Sequence, residues 1–129
     1  MADTIFSKII SGTIPCHKIY EDDKTLAFLD IHPVRSGHTL IIPKIAVEYV
    51  WDLPEEYYFA LMITAKKVAL RLKDVLGAPY IGEKIVGVDV AHAHVHLIPF
   101  STVEEFNGFQ ETSSVDDSLL NAMAKKLAF

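Results

Sequence analysis

Residues 91–100 read Ala-His-Ala-His-Val-His-Leu-Ile-Pro-Phe and carry three of the chain's six histidines, each two residues from the next. Polar and apolar side chains alternate strictly from His92 to Leu97. That is the pattern of a half-buried strand, because successive side chains point to opposite faces. His92, His94 and His96 then line one face, and Ala93, Val95 and Leu97 face a core. Pro99 offers no backbone donor and limits how far such a strand runs inside a sheet. Three imidazoles drawn from water need three sets of partners, so the fold must build a polar face into its sheet. Titration near neutrality suits such a row to chemistry. A metal site and a phosphate-reacting site are both open at this point.

The remaining chain provides a sheet and helices for that strand to join. Asp3 or Thr4 caps a short helix over 5–10, whose Ile5, Phe6, Ile9 and Ile10 form one stripe. Residues 18–21 and 25–31 read as a hairpin around the acidic turn Glu21-Asp22-Asp23-Lys24, which is read as solvated. Pro33 and Gly37 break the chain before a mostly apolar, central strand over 38–44. Asp52 is a plausible cap for a long helix from Pro54 to about Leu76. Its core stripe is Leu61, Ala65, Val68, Leu72 and Val75, with Lys66, Lys67, Arg71 and Lys73 on solvated faces. Gly77-Ala78-Pro79 ends it. Residues 80–86 are a further strand, and Val115 to Leu127 an amphipathic helix. The expected class is α+β: one domain over 1–129, an antiparallel sheet of about five strands, one long helix and shorter N- and C-terminal helices.

Charge and composition exclude several classes. A formal net charge of -5 argues against binding along a nucleic-acid backbone, which needs a basic surface. A small anion held by local groups remains possible. The single cysteine, Cys16, allows no disulfide framework and no cysteine metal cluster, and it reads as an inert thiol. The start Met1-Ala2-Asp3-Thr4 is polar, and no apolar run reaches the ~18 residues of a membrane span. The expectation is a cytoplasmic protein without membrane contact.

For a metal, the outer two histidines of a straight strand lie ~13 Å apart at ~3.3 Å per residue, whereas Zn–N bonds are ~2.0–2.1 Å. A third ligand would have to come from His17, His32 or His38. For phosphate, a neutral imidazole is a competent nucleophile, and its neighbours can donate to phosphate oxygens or fix its tautomer. Ile5, Phe6, Ile9, Phe28 and Ile31 could form an apolar base pocket, with the Asp30 carboxylate placed for ribose hydroxyls.

These residues resemble the histidine triad family of nucleotide hydrolases and transferases. His92-Ala93-His94-Val95-His96-Leu97-Ile98 fits its His-x-His-x-His motif. Phe6-Ser7-Lys8-Ile9-Ile10, Leu26-Ala27-Phe28-Leu29-Asp30-Ile31 and Gly37-His38-Thr39-Leu40-Ile41-Ile42-Pro43-Lys44 are similar to its N-terminal half. The resemblance covers residues 4–100 and leaves 101–129 as a C-terminal extension with a helix. It implies a two-layer α+β fold, usually a homodimer, without a cofactor. It also implies cleavage of a nucleoside 5'-monophosphate from a phosphoramidate, acyl adenylate or dinucleoside polyphosphate, with a purine nucleotide as substrate or product. By position, His94 resembles the nucleophile, His92 and His96 its flanking partners, and His38 a supporting fourth histidine. Ile5, Phe6, Ile9, Phe28, Asp30, Ile31, Asp89 and Val90 resemble the nucleotide-binding set. The family's Gly-Gln run before the triad is here Gly87-Val88-Asp89-Val90, so Val88 loses a leaving-group contact and Asp89 adds a charge. A nucleotide-binding module with weak catalysis is the alternative, and a metal-dependent hydrolase a third reading. The zinc-bearing branch has Cys-x-x-Cys where Thr4-Ile5-Phe6-Ser7 stands, so no structural zinc is expected.

Overall fold

Five strands form one antiparallel sheet: β1 (Lys18–Glu21), β2 (Thr25–Leu29), β3 (Thr39–Pro43), β4 (Tyr80–Lys84) and β5 (Val95–Phe100). Their order is β1-β2-β3-β5-β4, which places the histidine strand inside the sheet between β3 and β4. Four helices complete the chain: α1 (Ile5–Ile10), α2 (Glu55–Leu76), α3 (Val103–Phe106) and α4 (Asp117–Leu127). The computed structural model describes residues 3–110, 113 and 115–129. Met1 and Ala2, read above as part of a polar start, lie outside them.

Alternation sorts the sheet into two unequal faces. On one, Ala27, Leu29, Ile41, Val95 and Leu97 meet Leu61, Ala65, Val68 and Leu72 of α2 and Leu120, Ala124 and Leu127 of α4. On the other, Leu26, Phe28, Leu40 and Ile42 meet only Phe6 of the short α1 among buried side chains. The thinner cover leaves this second face open, and the histidines point to it. Thr4 and Ser7 close a capping box on α1, satisfying donors at the helix start. Gly77 stops α2 in the left-handed region at φ 68°, which glycine adopts without a Cβ penalty.

The histidine strand is shorter than expected. His92, Ala93 and His94 are extended but outside the ladder, which begins at Val95. Leu40 faces His96 and Ile41 faces Val95; continuing that register sets Pro43 opposite Ala93. Proline has no N–H to donate, so the ladder ends. The Ala93 N–H bonds instead to the Val47 carbonyl (2.8 Å). The face alternation nonetheless persists through residues 92–97.

Other differences have local causes. β2 ends at Leu29 and β3 starts at Thr39, with one further cross-strand bond in register, from the Asp30 N–H to the His38 carbonyl at 3.0 Å. β4 stops at Lys84 rather than Val86. Asp52 does not cap α2; it lies in a one-turn 3-10 helix, Val50–Asp52, and Pro54 stands at the helix start. Asp116 caps α4, which starts at Asp117, two residues past Val115. The added α3 has its own capping box, Thr102 with Glu105. Arg71 is not merely solvated: its Nε donates to the Leu127 carbonyl (2.9 Å) and its guanidinium to Ala128 (3.2 Å). It thereby meets the orphan carbonyls and negative dipole end of α4.

Candidate active site

The three imidazoles are buried but not equivalent, because each has its own partner. His92 Nε2 donates to the Pro43 carbonyl at 2.9 Å, and burial first, with His94 adding, lowers its pKa. His92 thus braces the site against β3.

His96 and His38 form a chain of fixed polarity. The Val34 N–H donates to His38 Nδ1 at 3.0 Å, so that nitrogen presents a lone pair. Burial, and then the His96 and Lys84 charges, push the His38 pKa down to about 3. A neutral ring with its lone pair on Nδ1 carries its proton on Nε2. That proton is donated to His96 Nδ1 at 2.9 Å. His96 is itself held neutral, its pKa lowered to about 4 mainly by burial and then by His94. Its proton must therefore sit on Nε2. Asp30 Oδ2 lies 3.6 Å from the same His38 Nε2, beside the link between the two rings.

His94 stands between them. Its Nδ1 lies 2.7 Å from the His92 carbonyl, an oxygen that only accepts, so Nδ1 carries a proton. The opposite nitrogen, Nε2, lies 3.0 Å from Asp89 Oδ1. Phe6 packs edge-on against the His94 ring at 5.1 Å between centroids. Asp89 Oδ2 is also 3.8 Å from His96 Nε2.

A cavity of about 760 Å³ opens beside this group. All eight residues expected to hold a nucleotide line it: Ile5, Phe6, Ile9, Phe28, Asp30, Ile31, Asp89 and Val90. Phe6 and Phe28 form an edge-to-face pair at 5.7 Å. Burial raises the Asp30 pKa, countered by the His32 N–H it accepts at 2.8 Å. Cys16 also faces the cavity, and burial raises its pKa, in keeping with an inert thiol.

Sequence reasoning missed Gln110, whose Nε2 donates to Asp30 Oδ2 and to the His32 carbonyl, both at 2.9 Å. It also missed that α4 reaches the cavity through Asp117 and Asn121, which both hold His17. No local pattern marks these contacts, which depend on where α4 docks.

The spacing argument excludes a shared ion for His92 and His96 but not for adjacent histidines. The His94 and His96 rings are 5.1 Å apart, and the donor atoms of Asp89, His94 and His96 lie within 4.8 Å of one another, as do those of Asp30, His38 and His96. His17 and His32 belong to neither group. The hydrogen bonds within these clusters are His38 Nε2 to His96 Nδ1 and His94 Nε2 to Asp89 Oδ1.

The HIT domain family matches residues 11–103. Protein hit of Bacillus subtilis is 36% identical over 137 aligned positions, covering 96% of this chain and 94% of that protein. The adenosine 5'-monophosphoramidase of Saccharomyces cerevisiae is 41% identical over 99 residues, covering 76% of this chain and 63% of that protein. The crystal structure of a Hit-like protein involved in cell-cycle regulation from Bartonella henselae matches with a TM-score of 0.87 at 32% identity, covering 97% of this chain and 93% of that one. The family match spans well over half of the chain and includes the strand that bears the three histidines, so this chain belongs to the HIT, or histidine triad, family.

Proposed function

We propose that the chain is a nucleotide-binding hydrolase that cleaves a nucleoside 5'-monophosphate from its leaving group through a nucleotidyl-His94 intermediate. The observation that carries this reading is the His94 ring itself. Its Nδ1–H is tied to the His92 carbonyl, which directs the other nitrogen to the cavity-lining Asp89. A nitrogen so oriented attacks phosphorus once it is free of its proton. His96 Nε2–H, its tautomer fixed through His38, donates to the phosphoryl oxygens as charge builds on them. A purine base lies between Phe6, Phe28 and the isoleucines, and Asp30 accepts the ribose hydroxyls. The yeast relative is named as a phosphoramidase of an adenosine monophosphate, which supports this substrate class.

The same reading includes a cytoplasmic homodimer that uses one domain over 1–129 and binds neither nucleic acid nor membrane. Among the described residues no helix is long and apolar enough to cross a bilayer. Exposed Phe59, Ile63 and Leu70 share one face of α2 and suit contact with a second copy. The test is turnover of an adenosine phosphoramidate by wild type and His94→Ala. We expect loss of turnover with nucleotide binding retained; equal turnover in the variant overturns the assignment.

A further inference from the structure

Resting His94 holds one proton too many for attack. Its Nδ1–H is committed to the His92 carbonyl at 2.7 Å, so Nε2 of a neutral ring is a bare lone pair. A bare lone pair does not sit 3.0 Å from a carboxylate oxygen, since both atoms would be acceptors. The contact requires a second proton. A proton held between His94 Nε2 and Asp89 Oδ1 satisfies both atoms. The Asp89 side chain is 45% exposed and lines the cavity.

We propose that Asp89 is the proton carrier of this site, taking the Nε2 proton of His94 as substrate binds and delivering it to an amine leaving group. This rests on the reading of His94 as nucleophile. In the first step the Nε2–H proton passes to Asp89, and the freed Nε2 lone pair forms the N–P bond. The bond from phosphorus to the substrate nitrogen breaks, its electron pair stays on that nitrogen, and the Asp89 carboxyl gives it the proton. In the second step the Asp89 carboxylate takes a proton from water. The water oxygen bonds to phosphorus, the P–Nε2 pair returns to His94, and the Asp89 proton returns to Nε2. Atoms and charge balance without any co-reactant.

The assignment selects among substrates. An amine cannot leave without a proton, whereas carboxylates and polyphosphates leave as anions. Asp89 would repel an anionic group, and Val88 beside it, 87% exposed, brings no compensating charge. Nucleoside phosphoramidates are therefore the class that this site serves. The titratable groups that face the pair are Asp30, His92 and His96, with His32 beside Asp30 and Lys84 beside His96, whereas the hydrogen-bond partner of His94 Nε2 is Asp89.

The experiment compares Asp89→Asn with wild type in single turnover on two substrates of the same nucleotide. One is an alkylamine phosphoramidate; the other is a p-nitrophenyl ester, whose leaving group needs no proton. General acid catalysis contributes about 10²–10⁴-fold. We expect a loss of at least a hundredfold on the amine and less than tenfold on the ester. Equal losses on both, or a variant as fast as wild type on the amine, overturn the proposal. Nitrogen-15 shifts of the His94 ring at pH 7 give a second readout. A doubly protonated ring in wild type that becomes neutral in Asp89→Asn supports the proposal; a wild-type ring already neutral overturns it. Wild-type turnover that His94→Ala leaves intact overturns the underlying reading, which separates that failure from failure of the Asp89 step alone.

Discussion

Acid should unfold this protein through two histidines well before its carboxylates protonate. His38 and His96 are almost fully buried, with pKa values lowered to about 3 and about 4, against ~6.5 in an unfolded chain. A depressed histidine contributes stability that is complete above the unfolded pKa. It is lost as pH falls from there toward the folded value, because the unfolded chain binds a proton that the native state refuses. Between pH 7 and pH 5 each ring forfeits roughly 1.5 pH units at ~1.36 kcal/mol per unit, about 2 kcal/mol. Together they account for about 4 kcal/mol, a large fraction of the 5–15 kcal/mol typical of a domain. His92, lowered in the same direction, adds to the loss. Asp30 opposes it in part, since its raised pKa lets the native state gain a proton first. The assay is urea unfolding at pH 7, 6 and 5, with the slope on urea checked for constancy. In His38→Gln the pH-dependent part should fall to about 2 kcal/mol whatever the absolute stability. A stability flat from pH 7 to 5, or an undiminished dependence in His38→Gln, would refute the reasoning.

Three further outcomes follow from the geometry. Gly37→Ala should lose about 1–3 kcal/mol in urea unfolding: Gly37 has φ 93°, and a Cβ there would lie 2.6 Å from Leu76 Cδ1 and 3.2 Å from Pro99 Cγ, which combines backbone strain with overpacking. Arg71→Ala should cost about 1–2 kcal/mol by thermal melting, through charged hydrogen bonds to the Leu127 and Ala128 carbonyls that α4 cannot replace. Asp30→Asn should raise KM for a ribonucleotide substrate about tenfold, the worth of one charge-assisted bond, while changing KM for the 2'-deoxy analogue less; equal changes in both would remove Asp30 from the ribose contact.

What was legible in the sequence is what depends on neighbours along the chain. The alternation from His92 to Leu97 is local and correctly assigned both faces, as the stripe Leu61, Ala65, Val68 and Leu72 assigned the buried side of α2. The failures occur where a partner distant in sequence decides. Pro43 stops the ladder short of His94 from 51 residues away, Arg71 turns from solvent to the end of α4, and Gln110 reaches back to Asp30 across 80 residues. Asp89 shows the same division at the site itself. Its charge is plain in Gly87-Val88-Asp89-Val90, but what the charge does depends on which nitrogen of His94 it meets. The His92 carbonyl determines that by claiming Nδ1, which leaves Nε2 to share a proton with Asp89. A backbone oxygen that no side-chain pattern reports thus decides which nitrogen of His94 faces the carboxylate.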